Sequence, residues 1–310
     1  EDAVRQRPEE GYLLLDAADV FRDAGRADRA AALVAQAERR VPDGAWLRRM
    51  ATEAVSRAEL MEAMGCYRRL LEIEPAAKDV HESLAGLLAG TGDRTAAVAH
   101  LEEACCRFPG HASLKALLCH WLGEDLARRG EVLRQLLELN PADGWARREL
   151  ALDLKKQGRH GEAVREAAEA RAVEPKVAAS SGILGDVLQA AGRPEEARGC
   201  LHEALALDVD YGWAISELIA MAPDHVSKQA ELRWVLGQLE TQVTNGDGLM
   251  RWTSEAWVLR EPDEVLEVLE RVRGIRPDLW QAWSVLSNHL SDMGRRDQAL
   301  AVVAEAAERF

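Results

Sequence analysis

The sequence lacks any long apolar run, and no window approaches the roughly 18 uncharged apolar residues that a helix needs to cross a bilayer. It therefore predicts no membrane-spanning segment. Basic residues are also comparatively few, because 39 lysines and arginines stand against 53 acidic residues, which gives a formal net charge of −14. Nucleic acids and anionic membrane surfaces need a basic field, so the sequence argues against both as partners.

Cysteine is scarce, and its five copies follow no regular spacing. Such a set excludes a disulfide framework and indicates a reducing compartment, so we expect a cytoplasmic location.

The hydrophobic content of 47% is high enough to build a buried core, which excludes wholesale disorder. The chain begins at Glu1 without a methionine and ends at Phe310 inside a helical unit, so we expect a fragment of a longer protein.

Proline is rare as well, and most of its copies recur at a fixed step. Consecutive members of the set are 33, 34, 32, 34 and 102 residues apart, and the last interval is three times 34. Val209 and Val243 occupy the positions where the two missing prolines would fall. This self-similarity predicts a repeat architecture. The recurring prolines are Pro42, Pro75, Pro109, Pro141, Pro175 and Pro277.

Small and apolar residues keep the same step before these markers. Within residues 77–109, two apolar stripes at helical spacing are separated by a glycine turn and ended by a proline, which predicts a helix-turn-helix unit. The recurring alanines are Ala30, Ala63, Ala97, Ala163, Ala197 and Ala299, the glycines are Gly25, Gly92, Gly158, Gly192 and Gly294, and the leucines are Leu84, Leu150, Leu184, Leu218 and Leu286.

This pattern resembles the tetratricopeptide repeat, and the resemblance covers almost the whole chain, or about nine units. It implies an all-α fold, a right-handed superhelical solenoid of antiparallel helix pairs that forms a single domain over residues 1–310. The first helix of each pair would line a concave groove. The match weakens near 110–141 and 210–277, where we expect distorted repeats that still contain helices, for instance over 227–243 and 263–273.

Tryptophan is the dominant aromatic residue, with nine copies against three phenylalanines and three tyrosines. The repeat offset of a residue is its distance in sequence from the marker proline of its repeat. These offsets separate groove-facing tryptophans from tryptophans that pack between helices, while Trp280 fits either role. A groove-facing tryptophan offers a large apolar face and one N–H donor to a ligand, although it could also fill a wide helix crossing. The groove-facing set is Trp121, Trp145, Trp213 and Trp257, and the packing set is Trp46, Trp234, Trp252 and Trp283.

A basic cluster follows Trp145 on the same predicted helix. Arg148, Lys155 and Lys156 take groove-facing offsets, and Arg48 holds the offset of Arg148 in an earlier repeat. These cations could orient an acidic peptide or a C-terminal carboxylate, and the alternative is an ordinary solvated face. The successive lysines and asparagines of chaperone-binding tetratricopeptide domains are absent at the corresponding offsets, so we do not expect that kind of carboxylate clamp.

No residues with the spacing of a catalytic or metal site emerge from the sequence. Histidines and cysteines crowd residues 100–120 without the paired spacing of a zinc site, and Cys119 and His120 would diverge on a helix. We therefore expect no catalytic residue, no metal and no cofactor. The sequence predicts a non-enzymatic scaffold that binds a protein or peptide segment, and an acidic segment is one candidate.

Two alternatives to a free-standing scaffold stay open. The chain could be the recognition or regulatory arm of a larger bacterial enzyme, such as a peptidase, a transferase or a kinase, whose catalytic part lies elsewhere. This reading rests on analogy with fused repeat arrays. The distorted repeats could instead mediate a homodimer.

Overall fold

The computed structural model describes residues 11–38, 41, 43–92, 94–242 and 244–310. Within these ranges the chain forms 18 helices and no strand, which confirms the predicted all-α class of paired helices. Pro42 and Val243, two marker positions of the repeat, lie outside the described residues. No described helix is both long enough and apolar enough to cross a membrane.

The chain divides into two compact units, and the first is Glu1–Val132. In its described part each first helix packs on the second helix that follows it, α1 on α2, α3 on α4 and α5 on α6. The helices are α1 Gly11–Asp23, α2 Ala27–Ala37, α3 Asp43–Ser56, α4 Leu60–Ile73, α5 Lys78–Gly90, α6 Arg94–Arg107, α7 Ala112–Leu122 and α8 Leu126–Leu139, the last of which begins in this unit and ends in the other.

The second unit is Leu133–Phe310. Its odd-numbered helices again pack on the even-numbered helices that follow them. After the end of α8 the helices are α9 Gly144–Lys156, α10 His160–Val173, α11 Ala178–Ala190, α12 Pro194–Leu207, α13 Gly212–Met221, α14 His225–Thr241, α15 Asp247–Leu259, α16 Pro262–Ile275, α17 Trp280–Asp292 and α18 Arg296–Arg309. We call odd-numbered helices first helices and even-numbered helices second helices.

The turns inside the helix pairs hold the predicted glycines in the left-handed region of the backbone, where a Cβ is disfavoured. The five turn glycines have φ between 73° and 92°. Ala58 occupies the same position between α3 and α4 and adopts a φ of 59° without being glycine. The left-handed turn therefore belongs to the repeat geometry even where the favoured residue is missing.

The core follows the predicted repeat positions. The recurring alanines are buried where helices cross, and the recurring leucines fill the space beside them. Small side chains at a crossing let two helices approach closely, whereas leucine supplies most of the buried apolar area. In the second unit one continuous apolar cluster runs from Leu201 on α12 to Val302 on α18. These positions confirm the register read from the sequence.

The repeats predicted to be distorted are helical but uneven in length. The first helices α7 and α13 have 11 and 10 residues, while the second helix α14 has 17. The regular helices α9 and α10 have 13 and 14 residues. Helices predicted over 227–243 and 263–273 correspond to α14 and α16. The single domain predicted over residues 1–310 stays a prediction.

The turn before α15 is fixed by a carboxylate from an earlier loop. The Asp210 side chain accepts hydrogen bonds from the backbone N–H of Asn245 at 2.6 Å and of Gly248 at 2.9 Å. A Cβ on Gly248 would lie 2.3 Å from the carbonyl oxygen of Val209, so only glycine permits this approach. These contacts position α15, which carries one side of the groove described below.

Candidate functional site

The second unit presents a surface of first helices that carries most of the predicted groove residues. On α9, Trp145, Arg148 and Lys155 are spaced by three and seven residues, which places them on one helix face. Trp213 begins α13, and Trp257 lies near the end of α15. We call this face, with these five residues, the first-helix surface.

An open groove lies on this surface between α15 and α17, with a cavity of about 430 Å³. Its two walls use the same helical spacing, so each wall is one face of one helix. We call it the α15–α17 groove. It is lined by Met250, Thr253, Ser254 and Trp257 on α15 and by Val285, Asn288, His289 and Asp292 on α17.

Trp257 and His289 meet in the α15–α17 groove. The two ring centroids are 4.9 Å apart with the planes at 90°, an edge-to-face contact. Trp257 remains 42% exposed, while His289 is 2% exposed. The His289 Nε2 lies 2.8 Å from the carbonyl oxygen of Pro262, so Nε2 carries the hydrogen and Nδ1 is the acceptor. That Nδ1 is buried and has no described hydrogen-bond partner.

Trp145 and Trp213 are also accessible on the first-helix surface, each 37% exposed at the start of its helix. Tyr211 stands beside Trp213 with ring centroids 5.9 Å apart, and burial raises the pKa of Tyr211. A Cβ on Gly182 of α11 would meet the Tyr211 ring at 2.3 Å. The absence of a side chain on Gly182 therefore lets the tyrosine fold over α11.

The four tryptophans predicted to pack between helices are buried or half-buried. Trp252 is fully buried, and its indole N–H donates to the carbonyl oxygen of Leu232 at 2.8 Å. Trp283 is buried and donates to the carbonyl oxygen of Pro277 at 3.1 Å. Trp46 and Trp234 are half-buried beside their core clusters. Trp280 is largely exposed at the start of α17.

Trp121 does not lie where its repeat offset placed it. It lines a crevice of about 260 Å³ together with residues of α6 and α8, which are second helices. The Arg94 guanidinium sits 5.8 Å from its ring centroid and donates to its carbonyl oxygen at 3.0 Å. The helix α7 ends early, at Leu122, and Gly123 follows with a φ of 58°, so this repeat does not keep the regular offset.

The predicted cations are paired inside the protein. Arg148 forms an ion pair with Glu174 and donates to the hydroxyl of Ser180 at 2.9 Å. Lys155 lies 2.6 Å from the carboxylate of Asp186. The carboxylates come from the loop before α11 and from α11 itself, so they neutralise Arg148 and Lys155.

Arg48 repeats this arrangement in the first unit, where it pairs with Glu74 at 2.5 Å and with Asp79. In both repeats the glutamate directly precedes the marker proline. This recurrence is visible in the sequence and indicates the ion pair, whereas the charges of α9 alone do not. Lys156 is exposed at the end of α9.

Sequence reasoning missed the α17 wall of the groove. Asn288, His289 and Asp292 belong to no recognised motif. Each residue of the α17 wall stands 35 residues after a residue of the α15 wall, one more than the repeat step of 34, so the repeat offset alone does not place Asp292 opposite Trp257.

The chemistry expected of a metal or thiol site is not assembled within the described ranges. No group of three or more histidine, cysteine, aspartate or glutamate side chains there could hold a metal ion. None of the five cysteines, all within the described ranges, forms a disulfide, and burial raises the pKa of Cys105 and of Cys200. A raised thiol pKa disfavours the nucleophilic thiolate.

The helix pairs and the surface of their first helices define a helical-repeat protein. Residues 148–208 match the family model for the tetratricopeptide repeat, as the pattern of that segment predicted. No curated protein sequence matches the chain.

Solved structures of similar fold include a fragment of MamA, from residue 41 to the end, from Desulfovibrio magneticus RS-1. It is 16% identical, with 55% of this chain and 98% of that chain covered and a TM-score of 0.45. Another is YrrB, a tetratricopeptide repeat protein with an unusual peptide-binding site. It is 22% identical, with 54% of this chain and 87% of that chain covered and a TM-score of 0.43.

Proposed function

We propose that the protein is a protein-interaction scaffold that holds a segment of a partner protein on the first-helix surface. The observation that carries this proposal is the α15–α17 groove, where exposed Trp257 and several polar side chains line an open cleft of about 430 Å³. Partly apolar clefts with a few polar groups are the usual form of a binding site, and tryptophan is a frequent energetic centre of protein interfaces.

The helical framework supports binding without large rearrangement. Trp145, Trp213 and Trp257 are all mounted on helices whose opposite faces are buried in the core. A preformed surface leaves most of the ordering cost to the partner segment, so affinity would come from covering these three rings.

An acidic partner segment stays a prediction, and its binding would require two ion pairs of the protein to open. Arg148 and Lys155 already bind Glu174 and Asp186, so an acidic segment would have to displace these carboxylates before it could bind the cations. Lys156, at the end of α9, would extend such a contact. Five cysteines without a disulfide fit a reducing compartment, and a cytoplasmic location stays the prediction.

The experiment compares Trp257→Ala and Trp145→Ala with a matched control, Val258→Ala. Val258 follows Trp257 on α15 and is more exposed than it, so its removal deletes apolar surface from another face of the same helix. Each variant is used to capture partners from the native lysate, with recovery quantified by mass spectrometry and helicity by circular dichroism. We expect both tryptophan variants to lose a partner set that Val258→Ala retains. Equal recovery by all three would show that the first-helix surface is not the binding surface.

A further inference from the structure

Asp292 is the acidic side chain of the α15–α17 groove, and its carboxylate has no ion pair or hydrogen bond with a described residue. Three other carboxylates of the second unit are engaged. Asp186 pairs with Lys155 at 2.6 Å, and Glu255 accepts a hydrogen bond from Ser216 at 2.7 Å. Asp263 pairs with Arg295 at 2.6 Å. Asp292 therefore places an unneutralised negative charge on the wall of an open groove.

The exposed indole of Trp257 is the second feature of this groove that can receive a cation. Trp121 and Trp283 each have an arginine guanidinium over the ring, at 5.8 Å and 4.9 Å from the centroid. Within the described ranges no cation lies over Trp257, although the ring is more exposed than either of those two. An exposed indole face attracts an ammonium or a guanidinium through its quadrupole.

Hydrogen-bond acceptors in the groove also favour a ligand that carries an ammonium or a guanidinium group. The carboxylate of Asp292 and the side-chain oxygen of Asn288 line the groove, and the unpartnered Nδ1 of His289 lies beneath its surface. Lysine and arginine are the side chains that carry several N–H donors and no acceptor. The net charge of −14 on the chain also favours approach of a basic segment over an acidic one.

We propose that the α15–α17 groove binds a basic side chain of the partner segment, arginine in preference to lysine. Its charge lies at Asp292, and its apolar stem packs on Trp257 and Met250. This proposal rests on the scaffold function above and specifies the chemistry of the ligand at one position. An acidic side chain would meet the Asp292 carboxylate and be repelled.

The test uses the full chain, isotope-labelled, with the indole N–H signal of Trp257 assigned by Trp257→Phe. The probes are four acetylated and amidated peptides, Ala-Ala-X-Ala-Ala, in which X is arginine, lysine, citrulline or glutamate. Citrulline has almost the shape of arginine but no charge. We expect the arginine peptide to shift the Trp257 signal and the citrulline peptide to bind about fivefold more weakly, the size of one exposed charge contact. Asp292→Asn should weaken arginine binding by a similar factor.

The matched control is Asp297→Asn, which removes the same charge from an exposed position on the second helix α18. The proposal is overturned if the arginine and citrulline peptides bind equally, or if Asp292→Asn behaves like Asp297→Asn. It is also overturned if the glutamate peptide binds best, or if arginine produces no shift up to about 10 mM, beyond the ~1 mM range of a weak single contact.

The capture experiment distinguishes failure of this ligand chemistry from failure of the scaffold function. If Trp257→Ala loses its partners in the capture experiment while Asp292→Asn keeps them, the groove binds a partner but not through a basic side chain. If neither variant changes capture, the scaffold proposal and the ligand chemistry both fall.

Discussion

Regular and divergent repeats lie next to each other in the second unit, and they fill the same helix crossing in different ways. In the regular pairs α9–α10 and α11–α12, Ala163 and Ala197 are fully buried at the crossing. In the divergent pairs α13–α14 and α15–α16, Glu231 and Val265 take this position and are also buried. The repeat is therefore maintained by the packing of its neighbours, and alanine is only the simplest way to fill the site.

Glu231 shows how a charge is accommodated there. It is 2% exposed, and its carboxylate accepts hydrogen bonds from Arg198 Nε at 2.7 Å and from His202 Nε2 at 2.8 Å. Both partners come from α12, the preceding second helix. Trp234 packs edge-to-face on His202 with centroids 4.4 Å apart. A buried carboxylate is tolerated because its oxygens are bonded.

The two regions also differ on the first-helix surface. In the regular pairs the partly buried charges neutralise each other, Arg148 with Glu174 and Lys155 with Asp186. The divergent pairs carry Trp213 and Trp257, and Trp257 lines the α15–α17 groove. Local departures from a repeat pattern often mark functional positions, and here the divergent helix α15 supplies one wall of the α15–α17 groove.

The largest expected effect comes from placing a long charged side chain at a regular crossing. Ala163→Arg should lower the free energy of unfolding by about 3 kcal/mol or more, because the crossing has no room for the side chain and no partner for its charge. Chemical denaturation followed by circular dichroism measures the change. Glu169→Arg, on the exposed face of the same helix α10, is the control. If the two variants shift the unfolding midpoint equally, Ala163 does not lie at a tight crossing.

A smaller effect is expected from restoring alanine in the divergent region. Glu231→Ala should cost about 1–2 kcal/mol in spite of matching the repeat pattern, because Arg198 and His202 lose their acceptor. The cost stays moderate since Arg198 is partly exposed and can be rehydrated. A double-mutant cycle of Glu231→Ala with Arg198→Ala measures the coupling.

The control for that cycle is the exposed pair of Arg171 and Glu203, which lie 3.1 Å apart in the regular region. Its coupling energy should stay below about 1 kcal/mol. A Glu231→Ala variant more stable than the parent would mean that the divergent repeat merely tolerates its glutamate.

The repeat step predicted the helices and their buried faces because both depend on local periodicity. Ala163, Leu184 and Ala197 could be placed from spacing alone, and so could the exposure of Trp257. The position of Trp121 could not, since it follows from the early end of α7 at Leu122.

The groove also depends on contacts that no single helix encodes. The neutralisation of Lys155 requires Asp186 on the next first helix. Asp292 and His289 become part of a site only when α17 packs beside α15. Spacing within a helix therefore predicted which faces are exposed, but the chemistry of each face was set between repeats.

Two histidines are also held in different ways, because His202 on α12 is bonded to the carboxylate of Glu231 in the divergent pair, whereas His81, in the regular pair α5–α6, is bonded to another histidine. The His81 Nδ1 lies 3.0 Å from His100 Nε2, and its Nε2 lies 3.0 Å from the carbonyl oxygen of Pro75. Burial lowers the pKa of both His81 and His100, and the charge of Arg107 near His81 acts in the same direction. Protonation of His81 would set two N–H groups against each other.

The smallest expected effect is therefore a dependence of stability on pH that arises in this regular pair. Both histidines take up a proton at a lower pH in the folded chain than in the unfolded chain, where the ordinary value is 6.5, so the unfolded state binds more protons as the pH falls below that value. Stability should be complete above that pH and decline below it. His100→Gln, which keeps a donor for His81 Nδ1, should flatten the decline, while His120→Gln at an exposed position should not. Denaturation at a series of pH values measures the slope of the free energy of unfolding against pH. Equal slopes for both variants and the parent would show that the histidine pair does not cause the pH dependence.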